Sequence, residues 1–222
     1  MRSEDYLAAI YRLSEAGLEA RLIDVASELG VRASTAARVL SRLEQKGYVT
    51  RKGMTYSLTE RGLRTALEVL KRHRVIERFL VDMLGADLNE VHALAHELEH
   101  AERFAELVDA YLKRPKRCPH GNPVPGRASA KSRYWERGRE KPLSVVTEGS
   151  YVIARICELR EAIDYTWKLG LRAGDVIEVT GFDEKSVHLS VGSRAASLPM
   201  SVARLVFVEV YGNASPDRGT GG

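Results

Sequence analysis

The sequence predicts a mainly α N-terminal part, built from a winged helix-turn-helix and a pair of ligand-rich helices, followed by a C-terminal all-β small barrel. Three observations predict it. Helical apolar spacing runs through most of residues 3–112, a short basic hairpin signal interrupts it at 48–58, and from residue 143 the texture changes to short alternating strands between glycines.

The first helix spans about residues 3–16. Ser3 is placed to cap it, Glu4 and Asp5 suit the positive end of its dipole, and Tyr6, Leu7, Ile10 and Tyr11 form its apolar stripe before Gly17. Leu22 to Leu29 forms a second helix and Ser34 to Lys46 a third, joined through Gly30-Val31-Arg32. Two short helices about a tight glycine-containing turn have the form of a helix-turn-helix. Arg32, Ser34, Thr35 and Arg38 cluster at the start of the second of these, where hydroxyls and guanidiniums contact base edges and phosphates once a helix enters a major groove. Tyr48 to Arg51 and Met54 to Leu58 flank a Lys52-Gly53 turn, and Arg51 and Lys52 at the tip of this wing are candidate phosphate contacts.

Thr59 caps the next helix, which reaches Leu84 before Gly85. A further helix is expected from the Asp87-Leu88-Asn89 start signal to about Leu112. Beyond it, Lys113 to Pro142 mixes Pro, Gly and basic residues without periodicity and reads as a linker. Four strands are expected, at 151–156, 176–179, 187–191 and 205–210, with a short helix at 160–169. The tail from Gly212 has a disordered composition.

The chain is 44% hydrophobic and 29% charged, as globular proteins are. Two cysteines exclude a disulfide framework, no signal peptide opens the chain, and no apolar run approaches the ~18 residues of a membrane span. A soluble cytoplasmic protein is expected. The net charge of +4 conceals segregation: residues 31–53 carry six basic side chains against Glu44 alone, 113–142 carry ten against two, and 86–112 carry seven acidic ones against Arg103 alone. Basic segments favour polyanion contact, and the acidic one favours cations.

Four of the six histidines lie between residues 73 and 100 among carboxylates at helical spacing. At about 100° per residue, His92, His96, Glu99 and His100 share one helix face, and His73 and Glu77 are one turn apart on the preceding helix. Imidazole nitrogen with carboxylate oxygen suits Fe(II), Mn(II), Co(II), Ni(II) or Zn(II). Cys118 and His120, two potential ligands in one turn, do not by themselves make a second site. His96-Glu97-Leu98-Glu99-His100 also satisfies H-E-x-x-H, the zinc-protease helix, but no third ligand follows at the usual spacing. A DNA-binding protein with purely structural metal is the other alternative.

Lys71 to Leu80, Val91-His92, Glu99-His100 and the loop Cys118 to Gly126 resemble the diphtheria-toxin-repressor family of metal-dependent transcriptional regulators. Leu169 to Asp175 is similar to a turn of the SH3-like domain shared with ferrous-iron transport accessory proteins. The resemblance implies a winged domain at 1–62, a helical metal-binding and dimerisation domain at 63–126, a basic linker at 127–142 and an SH3-like domain at 143–211. It implies a regulatory metal position of Asp5, His96, Glu99 and His100 and an ancillary one of His73, Glu77 and His92, to which the barrel could lend Glu158 or Glu161. The implied protein is a non-enzymatic, homodimeric repressor that binds operator DNA when loaded with Fe(II) or Mn(II), with Co(II), Ni(II) or Zn(II) possible in vitro. Iron-type members carry Met and Cys where this chain has Asp5 and His96. Manganese-type members carry Asp and Glu there, with a further Glu in place of Ala8.

Overall fold

A computed structural model describes residues 2–127 and 140–212. Residues 128–139 of the expected linker, and the tail beyond Gly212, lie outside the described residues. They form two compact units: one holds the residues up to 127 together with Glu158–Arg160, the other holds 140–157 and 161–212.

In the first unit, α1 (Ser3–Glu15) is not capped by Ser3. Arg2 is the N-cap residue, and Asp5 Oδ2 accepts the Arg2 backbone N–H at 2.5 Å. β1 (Ala20–Arg21), too short to carry a period, leads into α2 (Leu22–Glu28), and a turn through Gly30 at φ +63° leads to α3 (Ala33–Gln45). The wing is β2 (Val49–Lys52) and β3 (Thr55–Leu58), so its turn falls at Gly53-Met54 rather than Lys52-Gly53. β1 joins it to make a three-stranded antiparallel sheet ordered β1-β3-β2. α4 (Glu60–Leu84) begins with Thr59 Oγ1 accepting from Gly62 N at 3.1 Å and ends at Gly85 in the left-handed region. Both ends follow the sequence expectation.

The single helix expected from 88 to 112 is two: α5 (Leu88–Leu98) and α6 (Glu102–Tyr111). The break at 99–101 has a tertiary cause. Arg72 on α4 donates Nε–H to the Glu99 carbonyl at 2.7 Å, taking that acceptor out of the helical ladder, while Ala101 N–H turns back to the Leu98 carbonyl.

α4 is the central helix. Its Val69 and Leu70 pack on Ala8 and Tyr11 of α1, and its Ile76 and Leu80 on Val91, Ala95 and Ala105 of α5 and α6. The boundary expected at residue 62 therefore falls inside a helix that both neighbours share. The segment that began the expected linker also belongs here: Cys118, His120, Asn122 and Val124 are buried, with Val124 against Val75 and Val108.

The second unit is an SH3-like antiparallel sheet of β4 (Lys141–Pro142), β5 (Gly149–Ile156), β6 (Val176–Phe182), β7 (Ser186–Val191), β8 (Arg194–Pro199) and β9 (Val206–Val210). The order is β4-β9-β5-β6-β7-β8, with α7 (Arg160–Lys168) after β5 and α8 (Met200–Ala203) before β9. Irregularities at Ile153/Arg155 and Val179/Gly181 bend the two central strands, and Ile153, Ile177, Leu189, Leu198 and Val208 fill the core. No helix among the described residues is long and apolar enough to cross a membrane.

Candidate metal centre

The packing of α4 on α5 places His73 and Glu77, one turn apart, against His92 and His96, also one turn apart. α1 brings Asp5 from the other side. Glu99 and His100 project from the break between α5 and α6, so they are not bound to the face that carries His92 and His96.

Two sets of side chains result, meeting at His73. Glu99 Oε2 lies 2.7 Å from His73 Nδ1, and Glu99 Oε1 lies 2.8 Å from His96 Nδ1 and 3.7 Å from His100 Nε2. His100 Nε2 is 2.7 Å from Asp5 Oδ1. Asp5, His96, Glu99 and His100 are thus neighbours, but as two overlapping groups that share Glu99: Asp5, Glu99 and His100 on one side, His73, His96 and Glu99 on the other. His73 Nε2 lies 3.0 Å from both Glu77 Oε1 and His92 Nδ1, which are 3.1 Å apart. His73, Glu77 and His92 are thus mutual neighbours, and His92 groups with them rather than on a common face with His96 and His100.

A further group was not visible in the sequence. Glu77 Oε2 is 3.3 Å from His120 Nδ1, and Cys118 Sγ–H donates to Glu158 Oε1 at 2.9 Å. Glu77, Cys118, His120 and Glu158 are all buried, with ligand atoms within 4.8 Å of one another. Their partners lie 43 and 40 positions away along the chain, so no local spacing signals them. Glu158, a candidate from the resemblance, is in this group and is clamped by Arg74, which also holds Glu15. Glu161 is not: it is exposed, accepts a hydrogen bond from Ser201 at 3.0 Å, and joins no ligand group among the described residues.

Burial raises the cost of every charge here, and the neighbours decide the outcome. Burial opposes protonation of His73, yet the carboxylates of Glu77 and Glu99 outweigh it and raise its pKa to about 9. For His92 burial prevails, with His73 adding repulsion, and its pKa falls to about 4. Glu77 is held well below the usual range, against burial, by His120 and His73; Glu99 is lowered, also against burial, by His73 and His96. Burial, then Glu158 and Glu77, push the Cys118 thiol upward.

The donors fit a divalent cation. Glu99 Oε1 is buried without a hydrogen-bond partner although His96 Nδ1 lies 2.8 Å and His100 Nε2 3.7 Å away. A buried carboxylate oxygen that faces two imidazole nitrogens without bonding either is arranged to share a cation with them. Arg12 runs counter to this. Its Nε and Nη2 are buried without partners, and its charge depresses His73, His92, Glu99 and Glu158, so a bound ion would also feel its repulsion.

On the winged part, Arg32, Ser34, Thr35 and Arg38 are exposed at the start of α3, and Arg51 and Lys52 are exposed on β2. Arg51 Nε–H donates to the Gly53 carbonyl at 2.9 Å, which shapes the wing tip.

With this arrangement in hand, comparison with known proteins is specific. The profile "Iron dependent repressor, N-terminal DNA binding domain" matches residues 1–55, and "Iron dependent repressor, metal binding and dimerisation domain" matches 59–126. The chain belongs to the iron-dependent repressor family. A FeoA domain profile matches residues 141–210 of this family member, the SH3-like unit. The iron-dependent repressor IdeR of Mycobacterium tuberculosis is 36% identical over 127 residues, 56% of this chain and 55% of that protein. The alignment thus spans about half the length of this curated relative. Among solved structures, the manganese regulator SloR superposes with a TM-score of 0.80 at 27% identity, covering 94% of this chain and 98% of SloR. A manganese-dependent transcriptional repressor in complex with manganese gives 0.79 at 29%, covering 94% and 100%.

In this family member the H-E-x-x-H reading has no support. α5 ends at Leu98, so His96 and His100 do not share an uninterrupted helix, and Glu97 is exposed. Sequence reasoning missed Cys118 and His120 as members of a ligand group, Arg74 as the clamp on Glu158, and the buried Arg12.

Proposed function

We propose that this chain is a metal-activated transcriptional repressor that binds operator DNA as a homodimer. The regulatory ion is held by Asp5, His96, Glu99 and His100, and the ancillary position is built on His73, Glu77 and His92, with Glu158 beside it. The observation that carries the reading is the 2.7 Å contact between Asp5 and His100, which joins the first helix of the winged part to the α5–α6 break through two ligand-type side chains. A divalent ion there would cross-link the two segments. Asp5 Oδ2 also holds the N-terminus of α1, so ligation through this carboxylate fixes the start of the helix on which the winged part is built.

All four regulatory donors are nitrogen or oxygen, which favours Fe(II) or Mn(II) as the working ion; Co(II), Ni(II) or Zn(II) would also bind in vitro. Arg32, Ser34, Thr35 and Arg38 would read the major groove, and Arg51 and Lys52 would hold phosphate. The role is that of a cytoplasmic binding protein rather than an enzyme. Only differential affinity shifts a conformational equilibrium, so the ion must bind the DNA-competent arrangement better, and operator DNA must tighten ion binding in return.

The test is binding of chelator-stripped protein to genomic fragments, its own upstream region included, at fixed salt with Fe(II), Mn(II), Co(II), Zn(II) or none. Specific binding should appear only with metal and should vanish in His100→Ala while the fold persists. Equal binding with and without metal would make the ions structural. Metal activation surviving in His100→Ala would remove the regulatory assignment.

A further inference from the structure

Glu158–Arg160 pack within the first unit, far along the chain from its helices, and end at the helix-turn-helix. Arg74 Nε–H donates to Glu158 at 3.0 Å, Leu159 is buried, and Glu28 Oε2, at the end of α2, accepts the Arg160 backbone N–H at 3.1 Å. The Arg160 side chain then rests against the turn between α2 and α3. Its Nη2, Nη1 and Cζ lie 3.3, 3.6 and 3.8 Å from the position that a Cβ on Gly30 would take. Glycine there serves twice, admitting a φ of +63° and leaving room for a guanidinium.

Arg160 is exposed, and among the described residues its guanidinium makes neither a hydrogen bond nor an ion pair. Glu28 bonds the backbone N–H instead. Two residues beyond Gly30 stands Arg32, the N-cap of α3, exposed together with Ser34 and Thr35. Two residues span at most about 7.6 Å. A free cation from residue 160 thus stands beside the start of the helix whose exposed donors face the proposed major groove.

We infer that Arg160 is a DNA-backbone contact, binding an operator phosphate at the edge of the groove that α3 enters. This rests on the proposed operator binding and adds to it a residue outside both the winged part and the metal positions. Phosphates recur every ~3.4 Å of axis along each strand, so a row of them flanks any helix seated in the major groove. A guanidinium with no internal partner breaks no salt bridge to meet one, and its paired N–H donors match phosphate oxygens. The anchors at Glu158 and at the Arg160 N–H hold the backbone, so binding has only the side chain left to order. The contact fixes register and carries no sequence information.

The experiment measures the affinity of the full chain, loaded with Mn(II), for the upstream fragment that wild type binds with metal, from about 50 to about 200 mM salt. Arg160→Ala should bind more weakly at low salt, and the slope of log affinity against log salt should become shallower by about 0.9 for each half-site. Over that range the variant should therefore lose about 3.5-fold less affinity per half-site than wild type. Arg160→Lys should keep the wild-type slope. Weaker binding at an unchanged slope would mean that Arg160 only packs on the turn, and would overturn the inference. Ethylation interference gives a second readout: one phosphate per half-site whose ethylation blocks wild type should cease to matter for Arg160→Ala, and identical patterns would overturn the contact. Arg51→Ala separates the two readings. A shallower slope there without one in Arg160→Ala sinks this inference alone, whereas a wild type that binds no fragment in a metal-dependent way sinks the proposed function and this contact with it.

Discussion

His73 is the side chain through which the proposed regulatory and ancillary groups touch, with one ring nitrogen on Glu99 and the other on Glu77. In the metal-free protein it is an imidazolium held between two carboxylates, with a pKa of about 9 against the usual 6.5. The sign follows from linkage. A raised folded-state value stabilises the fold fully below pH 6.5, and that contribution is lost as pH rises through about 9. His120, also raised, acts in the same direction, whereas His92, lowered to about 4, titrates on the acid side of this window. Urea unfolding of chelated protein should therefore show stability falling between pH 6.5 and 9, with a shallower fall in His73→Gln. A flat profile in wild type would mean that the ring is neutral and does not bridge the two carboxylates as a cation. Arg12 belongs to the same scale: at residue level nothing in its sequence context marks it as buried, and its unpaired Nε and Nη2 are visible only once α1 has packed.

At the scale of elements, a close backbone approach helps to fasten the start of the wing to α4. Gly62 lies in the first turn of α4, and a Cβ there would meet the Tyr48 carbonyl oxygen at 2.0 Å. Thr59, whose N–H donates to that same carbonyl at 3.0 Å, fixes the approach. Gly62→Ala should destabilise the protein by about 1–3 kcal/mol, since backbone must move to admit the methyl group. Thermal melting would register the loss, and an unchanged midpoint would show that the wing can shift freely. Elements with local signals were legible: α4 has Thr59 and Gly85 at its ends, and the wing has its basic hairpin. The α5–α6 break was not, because apolar spacing continues across it and only Arg72, far along the chain, withdraws the Glu99 carbonyl. β8 was missed because Arg-Ala-Ala-Ser-Leu-Pro has no β-branched or aromatic residue, and pairing with β7 supplies what propensity does not. The same reasoning covers the site. His73, Glu77, His92, His96, Glu99 and His100 announced themselves by turn spacing, whereas Cys118 and His120 acquire ligand partners only through the tertiary approach of Glu77 and Glu158.

For the whole molecule, the proposed homodimer needs a self-complementary face, and the first unit offers one. Met83 and Leu84 at the end of α4 are 46% and 64% exposed, and on α6 Leu107 and Tyr111 reach 56% and 66%. Phe79 lies between these helices with its ring edge-on to Phe104 and Tyr111, at centroid separations of 6.0 and 6.5 Å. Apolar side chains grouped in this way on a soluble surface mark an interface. In a two-fold dimer each substitution acts twice, so Leu107→Asp should weaken association by about 2 kcal/mol or more from each copy. Sedimentation should then find monomer where wild type is dimeric. Leu107 belongs to none of the ligand groups, so metal content per protomer should stay unchanged. Operator affinity should fall because two half-sites are no longer engaged by one particle, and it should recover in part at high protein concentration, which a direct loss of DNA contacts would not allow. A variant that stays dimeric would move the interface off α6, and a variant that is monomeric yet binds the operator as tightly as wild type would remove the dimer from the mechanism.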